Sequence, residues 1–358
     1  MKRKLHSATG WLRRAVEASK ALGPPRQTAS AHLTPSDKRL IPEHTRRQLV
    51  HLSGADNWHG AMYVTLDWAI VACAITGAIA AQSIVVYLAA NVIIGSRQRA
   101  IMNLLHQGSH NLLFRNHRVN SAVSNVFLGL PLLNTHASYT SEHLEHHKHT
   151  WNDDRDPKTK RYRQLLLVAP YNTAYFCIRH IARPILLIHM PFNVWSALRK
   201  KDDTRKDLAT RLSFWVVVSS ILWYSNQWTM FALYWALPYV SSFQIIRYFG
   251  EMAEHAGLQT TNAWQGTRSW SSIFPVRWLV APHNDEMHLM HHLFPRIPHY
   301  RIKRAHQLLL RVPAYANGHH CYGLLLPGKP DMPSVIQDIL RSGRSRMEAE
   351  AKKDQQAA

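Results

Sequence analysis

The sequence predicts an all-α integral membrane protein, with four transmembrane helices in two hairpins and a cytoplasmic helical cap. Two long stretches without basic residues predict the hairpins, and three histidine clusters outside these stretches predict the cap. The chain has 358 residues and a formal net charge of +21, from 43 Lys and Arg against 22 Asp and Glu. Because the basic residues lie outside the apolar stretches, we interpret them as contacts with anionic headgroups, worth about 1 kcal/mol each near the surface.

A basic N-terminal arm is predicted for residues 1–56, a membrane domain for 57–310, and a C-terminal cytoplasmic segment and tail for 311–358. The first 22 residues are basic, but they contain no apolar core of the length that a signal peptide needs. The tail after Met332 is predicted to be helical and then frayed. The three cysteines are far apart and form no CxxC pair, which favours a reducing compartment.

The two apolar stretches are each long enough to cross a bilayer twice. Residues 57–96 contain no Lys or Arg and a single acid, Asp67, while residues 212–246 contain no charged residue. A membrane-spanning helix needs about 20 residues, and the predicted spans are residues 62–80, 83–98, 212–225 and 228–247. Since the basic residues lie at the outer ends of both hairpins, these ends and both termini are predicted to face the cytoplasm.

Two other classes of protein account for less of this pattern. A soluble protein with two long buried helices would need uncharged stretches of unusual length. A nucleic-acid-binding protein would explain the charge of +21 but not the uncharged stretches, so no nucleic-acid partner is expected. Residues 176–198 are apolar but interrupted by Arg179, Arg183 and Pro184, which predicts one or two helices lying on the membrane surface. Residues 199–207 are predicted to be a solvated charged link.

Histidines are concentrated in four short segments that flank the predicted spans. The segment HQGSH places two histidines at i, i+4, and the segments HLEHH and HLMHH each place three at i, i+3, i+4, which is one face of a helix. A further histidine ends the segment GEMAEH, one turn after Glu251. The candidate ligands are His106, His110, His143, His146, His147, His255, His288, His291 and His292.

Two hairpins would bring all of these histidines to the cytoplasmic face, whereas single crossings would separate the clusters. Nine imidazoles exceed the four ligands of one tetrahedral site and match two metal ions. Neutral imidazole suits Zn, Cu, Fe and Ni, so the residues alone do not identify the element. Nine acids close in sequence are candidates to accept the outer ring N–H groups: Glu142, Glu145, Asp153, Asp154, Asp156, Glu251, Glu254, Asp285 and Glu286.

A metal transporter is a less favoured interpretation. Transporters place their ligands near the middle of the bilayer, and neither apolar stretch has a histidine within its apolar core. Most isolated histidines are interpreted as structural or surface residues. Four others, at positions close to the clusters or following them, are left open: His149, His283, His299 and His306.

The three histidine segments resemble the boxes of the membrane fatty acid desaturase superfamily. That family has boxes of the form HxxxH, HxxHH and HxxHH, placed relative to two transmembrane hairpins as they are here. HQGSHNLLF is similar to the first box, HLEHHKHTWNDDRDP to the second, and APHNDEMHLMHHLFPRIPHYRIKRAH to the third. The resemblance runs from about residue 60 to residue 310.

The resemblance implies a non-heme diiron oxidoreductase that uses O₂ and electrons from an external carrier. Its iron ligands would be the nine candidate histidines. Some family members have Asn one turn before the histidine that follows the fourth span, where this chain has Glu251. A carboxylate at this position would be a possible further ligand, and Asn284 a water-mediated one.

The expected reaction is desaturation of a fatty acyl or lipid chain, and hydroxylation on the same scaffold is the alternative. The family also includes enzymes that modify carotenoids or specialised small molecules. The chain has no His-Pro-Gly-Gly segment for heme and no cysteine cluster for an iron–sulfur centre. A separate ferredoxin or cytochrome b5 is therefore the expected electron donor.

Overall fold

The computed structural model describes residues 27–167, 173–200 and 203–345. Most of these residues are helical, in agreement with the predicted helical class. The first 26 residues of the predicted arm, part of the charged link and the end of the tail, for which fraying was predicted, lie outside the described residues. The tail is helical as predicted over residues 335–345, up to the last residue described.

A helical hairpin forms the centre of the first half of the chain. Two short helices precede it, α1 (Pro35–Arg39) and α2 (Glu43–Leu52). The hairpin consists of α3 (Trp58–Ala81) and α4 (Ile84–Ser109), joined by a tight turn in which Gln82 has a left-handed backbone. The turn lies where the apolar stretch was predicted to divide, but α4 continues eleven residues beyond the predicted end of the second span at 98.

The segment between the hairpins forms a series of shorter helices. α5 (His117–Val123) runs through a π-helical turn (Ser124–Gly129) into a 3₁₀ turn (Leu130–Leu132). α6 (His136–His149) and α7 (Pro157–Leu165) follow. α8 (Thr173–Phe176) extends through a π-helical turn (Cys177–Ala182) and a last turn (Arg183–Ile185), and α9 (Met190–Leu198) ends the segment.

The second hairpin is less regular than the first. α10 (Arg205–Tyr224) turns at Ser225–Gln227 into α11 (Trp228–Phe231), which continues through a π-helical turn (Ala232–Ala236) to Leu237–Val240. The helix is interrupted at Ser241, and α12 (Ser242–His255) then enters the histidine region. The predicted fourth span, 228–247, is therefore divided in two, because Pro238 and the unusual backbone at Ser241 break the regular helix.

The remaining elements include a small sheet that the all-α prediction did not contain. Strands β1 (Arg268–Ser271) and β2 (His319–Tyr322) pair in parallel, with Arg268 opposite His319. Strands of four residues are too short to show a clear alternation of apolar and polar side chains, so the sequence pattern does not predict them. The other elements are α13 (Phe274–Val280), a 3₁₀ turn (Pro282–Asn284), α14 (His288–Leu293), α15 (His299–Leu309), α16 (Pro313–Ala316) and α17 (335–345).

Within the described residues, one helix, α3, is long and apolar enough to cross a membrane. Its partner α4 carries Arg97 and Arg99, which are buried inside the protein. Apolar side chains are exposed on both hairpins, among them Val85, Val216 and Trp223. The arrangement of two helical hairpins is observed, whereas four membrane crossings stay a prediction.

Candidate metal centre

The C-terminal half of α4 is buried on all sides, and its last turn carries the first histidine pair. His106 lies within this turn and His110 is the residue that caps it. Beneath them, Ile101, Leu104 and Leu105 are fully buried among the helices. A close approach to α12 is possible because Gly95 has no side chain: a Cβ atom there would lie 2.7 Å from the backbone nitrogen of Phe243.

The second histidine segment is a regular helix, α6, with defined ends. Thr135 caps its N-terminus by accepting a hydrogen bond from the backbone N–H of Ser138. The next helix, α7, begins at Asp156-Pro157, with Asp156 as the N-cap and proline in the first turn. These two caps hold α6 and α7 so that His143, His146 and His147 point into the protein interior.

α12 and α14 supply the remaining candidate ligands. His255 is the last residue of α12 and is fully buried. His288, His291 and His292 lie on the six-residue helix α14, where His288 and His291 are buried. The structure therefore brings together histidines that are up to 186 positions apart in the sequence.

The nine histidines form two adjacent groups, each with converging ring nitrogens. Within each group, the potential ligand atoms all lie within 4.8 Å of one another. In the first group the Nε2 atoms of His106 and His291 are 2.7 Å apart, and in the second those of His255 and His288 are 3.0 Å apart. The first group comprises His106, His110, His143, His147 and His291, and the second His146, His255, His288 and His292.

The imidazole nitrogens of the two groups are suited to binding metal ions. Burial, reinforced by the neighbouring imidazoles, lowers the pKa of His143, His147, His288 and His292 well below the usual value. These rings are therefore neutral near pH 7, the form in which imidazole binds a metal. Several Nε2 atoms directed at one point cannot all satisfy each other as hydrogen-bond donors and acceptors, whereas a cation at that point can accept a lone pair from each.

Carboxylates contact the outer side of two of these rings. Asp156 lies 2.9 Å from Nδ1 of His146, and Asp285 lies 3.6 Å from Nδ1 of His106. Burial alone would raise the pKa of Asp156, but His146 and the hydrogen bonds from Thr159 and Trp151 lower it overall. The Asp156 carboxylate thus favours the ring tautomer that leaves Nε2 of His146 free to bind a metal.

Glu251 does not lie in either histidine group. Its carboxylate contacts Nε of Arg247 at 2.7 Å and the guanidinium of Arg161 at 3.2 Å. The carboxylate of this helix that approaches the histidines is Glu254, 3.6 Å from Nε2 of His288. Glu254 directly precedes His255 and faces the histidines. Glu251 lies about one turn earlier, and its carboxylate binds Arg247 and Arg161 instead.

The four histidines whose role the sequence did not decide lie outside both groups. His149 contacts Glu145, His283 contacts Asp67 at 2.7 Å, and His306 contacts the hydroxyl of Tyr315. His299 is buried beside Tyr63 and His283. Asn284 donates a hydrogen bond to the backbone carbonyl of His299 and lines a small cavity that also reaches His106 and His291.

Two buried arginines of α4 are the main residues that sequence reasoning missed. Arg99 donates to Glu254 at 2.8 Å and to Asp285 at 2.6 Å, and so fixes both carboxylates beside the histidines. Arg97 pairs with Asp67, the single acid of the first apolar stretch. The sequence did contain a signal for these ion pairs. An acid and two arginines lie within or next to an apolar stretch, and such charges are costly to bury unless they are paired.

A cavity of about 580 Å³ opens onto both groups. Its wall includes His106 and His143 of the first group and His288 of the second. Tyr139, Trp195 and Tyr239 contribute aromatic surface, and most of the other residues that line the cavity are polar or charged. A molecule in this cavity would lie beside histidines of both groups.

Comparison with known proteins identifies the family. Residues 82–323, a segment that contains all nine histidines, match the family described as fatty acid desaturase. A dihydrorhizobitoxine desaturase of Bradyrhizobium elkanii is 27% identical over 305 residues, which cover 81% of this chain and 86% of that protein. A chloroplastic sn-2 acyl-lipid omega-3 desaturase (ferredoxin) of Helianthus annuus is 25% identical over 282 residues, covering 70% of this chain and 61% of that protein. An endoplasmic reticulum omega-3 fatty acid desaturase of Nicotiana tabacum is 26% identical over 293 residues, covering 75% and 74%. With a family match over more than half of its length and histidines gathered as described, this chain belongs to the fatty acid desaturase family of oxidoreductases.

Proposed function

We propose that the two histidine groups each hold one iron ion and that the enzyme desaturates its substrate with O₂ and externally supplied electrons. The observation that supports this proposal most strongly is the convergence of nine ring nitrogens into two neighbouring groups. His147 and His292, one from each group, stack with ring centroids 4.2 Å apart, so the two metal positions are close neighbours. When bound, the irons would supply O₂ activation and removal of hydrogen from an unactivated carbon.

The residues around the groups have supporting roles in this proposal. The cavity positions the substrate against both groups, and the buried helices around it exclude bulk water from the reacting atoms. Asp156 orients the ring of His146, and Arg99 holds Glu254 and Asp285 in place. Asn284 remains a candidate for a water-mediated contact, and Glu251 is assigned to the wall of the cavity.

The proposed location is a membrane, with both hairpins embedded and the metal centre and both termini on the cytoplasmic side. Residues 57–310 would form the membrane domain, with the arm (1–56) and the C-terminal segment (311–358) in the cytoplasm. The exposed apolar side chains of α3, α4 and α10 support embedding, because they would otherwise face water. The plant relatives, whose names place them in the chloroplast or the endoplasmic reticulum, are consistent with membrane association.

The proposed substrate is an acyl or lipid chain, or a smaller metabolite, and the proposed donor is a separate ferredoxin or cytochrome b5. The names of the relatives include both an sn-2 acyl lipid and dihydrorhizobitoxine as substrates, and one name specifies ferredoxin. Turnover of the purified chain with NAD(P)H alone would contradict the need for a separate donor.

The function can be tested by expressing the full chain in a host with known lipids and comparing lipids and small metabolites by mass spectrometry. A product 2 mass units lighter than its precursor is the expected result. A product 16 units heavier would instead establish the hydroxylase alternative. Absence of both products in cells with a working reductant, and with iron-loaded protein present, would contradict an oxidative function on these compounds.

The site can be tested with matched histidine variants. His147→Ala and His292→Ala each remove one ring from a different group, so each is expected to lose bound iron and at least about a hundredfold of turnover. His319→Ala is the control, because His319 contacts Asp338 and lies in neither group. Elemental analysis of active protein that contains zinc alone would refute the diiron assignment.

A further inference from the structure

The wall of the cavity beside the histidines carries an unusual number of charges. Among the described residues it includes eight basic and five acidic ones, which is a surplus of positive charge in a space that adjoins both metal positions. The basic residues are Arg99, Arg155, Lys158, Lys160, Arg161, Arg199, Lys200 and Arg247, and the acidic ones Glu142, Glu145, Glu251, Glu254 and Asp285. A cavity that binds only hydrocarbon is lined mainly by apolar side chains.

Glu251 is held between two of these arginines. Its Oε1 accepts a hydrogen bond from Nε of Arg247 at 2.7 Å, and its Oε2 lies 3.2 Å from Arg161. One carboxylate therefore compensates two guanidinium groups. Only about one-sixth of the Arg247 side chain is exposed, yet its two terminal NH₂ groups donate to none of the described residues. Because Arg247 lines the cavity, a molecule inside it lies next to this side chain.

Lys200 adds a second incompletely paired cation to the same cavity. Its side chain is 15% exposed, and among the described residues its nearest acidic group is Glu142, 3.9 Å away and beyond hydrogen-bond distance. Glu142 is more than half exposed, so solvent weakens its interaction with the lysine. Burial lowers the pKa of Lys200 overall, although Glu142 and Asp203 act in the opposite direction.

Buried cations with free donors require an anion or water. If a hydrocarbon chain filled this part of the cavity, it would remove water from Arg247 and Lys200 without replacing the lost hydrogen bonds. A carboxylate or phosphate would supply both the negative charge and the acceptor atoms, and the planar guanidinium of arginine suits two-point binding of such groups.

We propose that this cavity binds a compact substrate with an anionic group, a carboxylate or a phosphate, held by Arg247, Arg161 and Lys200. The reacting carbon then lies towards His106, His143 and His288, which line the same space of about 580 Å³. Placing the reaction at this carbon rests on the proposed oxidative function, whereas anion binding in the cavity does not. The anionic group belongs either to a free organic acid or to the headgroup of a lipid.

Binding of simple probes tests the proposal without any turnover. The full iron-loaded chain in phosphatidylcholine nanodiscs would be titrated calorimetrically with hexanoate, hexan-1-ol and hexylamine, which share a chain but differ in charge. We expect hexanoate to bind at least about tenfold more tightly than the other two. Arg247→Met should remove this preference, and Arg247→Lys should retain only part of it, because the charge is kept while the two-point contact is lost. Arg47→Met, which replaces an exposed arginine of α2, is the matched control and should bind hexanoate normally.

A competition experiment with phosphatidate distinguishes the two sources of the anionic group. If phosphatidate in the nanodiscs competes with hexanoate, the site accepts a lipid headgroup, and if it does not compete, the site accepts free acids only. Both results support the proposal when Arg247→Met abolishes hexanoate binding. Equal affinity for the three probes would overturn it, as would normal hexanoate binding by an Arg247→Met protein with wild-type iron content. Anion binding in a protein without oxidative turnover would count against the proposed function alone.

Discussion

At the residue scale, Asp156 serves the fold and the metal centre with one carboxylate. Its Oδ1 contacts Nδ1 of His146 and accepts from the backbone N–H of Lys158, which caps α7. Its Oδ2 accepts hydrogen bonds from Thr159 and from the backbone N–H of Trp151. A small change at this residue therefore affects metal binding through the orientation of a ring rather than through loss of a ligand.

Asp156→Asn is expected to weaken iron binding by about 10- to 100-fold, because the neutral amide is a poorer partner for the ring N–H of His146. Chelator competition measures this change. Thermal unfolding should show only a modest loss, about 1 kcal/mol, since Asn is also a good N-cap.

The matched control for this change is Asp37→Asn, at the capping box of α1, where the carboxylate contacts Thr34 and Trp264 but no candidate ligand. It should leave iron affinity unchanged. Equal iron affinity in Asp156→Asn and wild-type protein would show that Asp156 acts only as a cap.

At the element scale, the crossing of α4 and α12 positions the two histidine groups relative to each other. The last turn of α4 contains His106 and is capped by His110, and α12 ends in His255. The helices meet at Gly95, where a Cβ atom would lie 2.2 Å from Oγ of Ser242 and 2.7 Å from the backbone nitrogen of Phe243. The serine side chain can rotate away, but the backbone of α12 can avoid the contact only by moving as a whole.

Gly95→Ala is therefore expected to destabilise the protein by about 1–3 kcal/mol, the usual range for overpacking, and to reduce iron occupancy because the groups separate. Thermal unfolding and iron content measure the two effects. Gly77→Ala is the matched control, since nothing lies within 4 Å of its new Cβ atom and alanine favours the helix. Equal stability of the two variants would mean that the crossing tolerates a wider spacing.

At the scale of the whole molecule, both hairpin turns lie at the ends of the hairpins away from the metal centre. The turns contain Gln82 and Asn226, both exposed and uncharged, while the basic residues lie at the other end. If both hairpins are embedded, the two turns face the compartment opposite to the histidines.

Single cysteines test this topology in intact bacterial cells. In a background with Cys73 and Cys177 replaced by Ser, Gln82→Cys and Asn226→Cys should react with a membrane-impermeant maleimide. Lys329→Cys, in the C-terminal segment that we propose to be cytoplasmic, should react only after lysis. Buried Cys321 can remain. Labelling of all three cysteines in intact cells, or recovery of the protein without detergent, would contradict the proposed arrangement.

The sequence alone determined the features that depend on residues close together along the chain. The helical character, the positions of both turns and the grouping of histidines on helix faces follow from local periodicity and composition. The spacing of the histidine segments also identified the family, which the comparisons then confirmed. The four-residue strands were missed because their pairing is formed by residues about 50 positions apart.

The tertiary structure alone decided how the histidines are divided. In HLEHH, His143 and His147 join one group and His146 the other, and in HLMHH, His288 and His292 join one group and His291 the other. On this shared helix face, residues i+3 and i+4 lie on opposite sides of residue i, about 60° and 40° away. Which neighbouring helices meet each side depends on packing. For the same reason, Glu254 rather than Glu251 approaches the histidines. Arg247, one turn earlier on the same helix, and Arg161 of α7 bind the Glu251 carboxylate, and Arg161 reaches it only when the two helices pack.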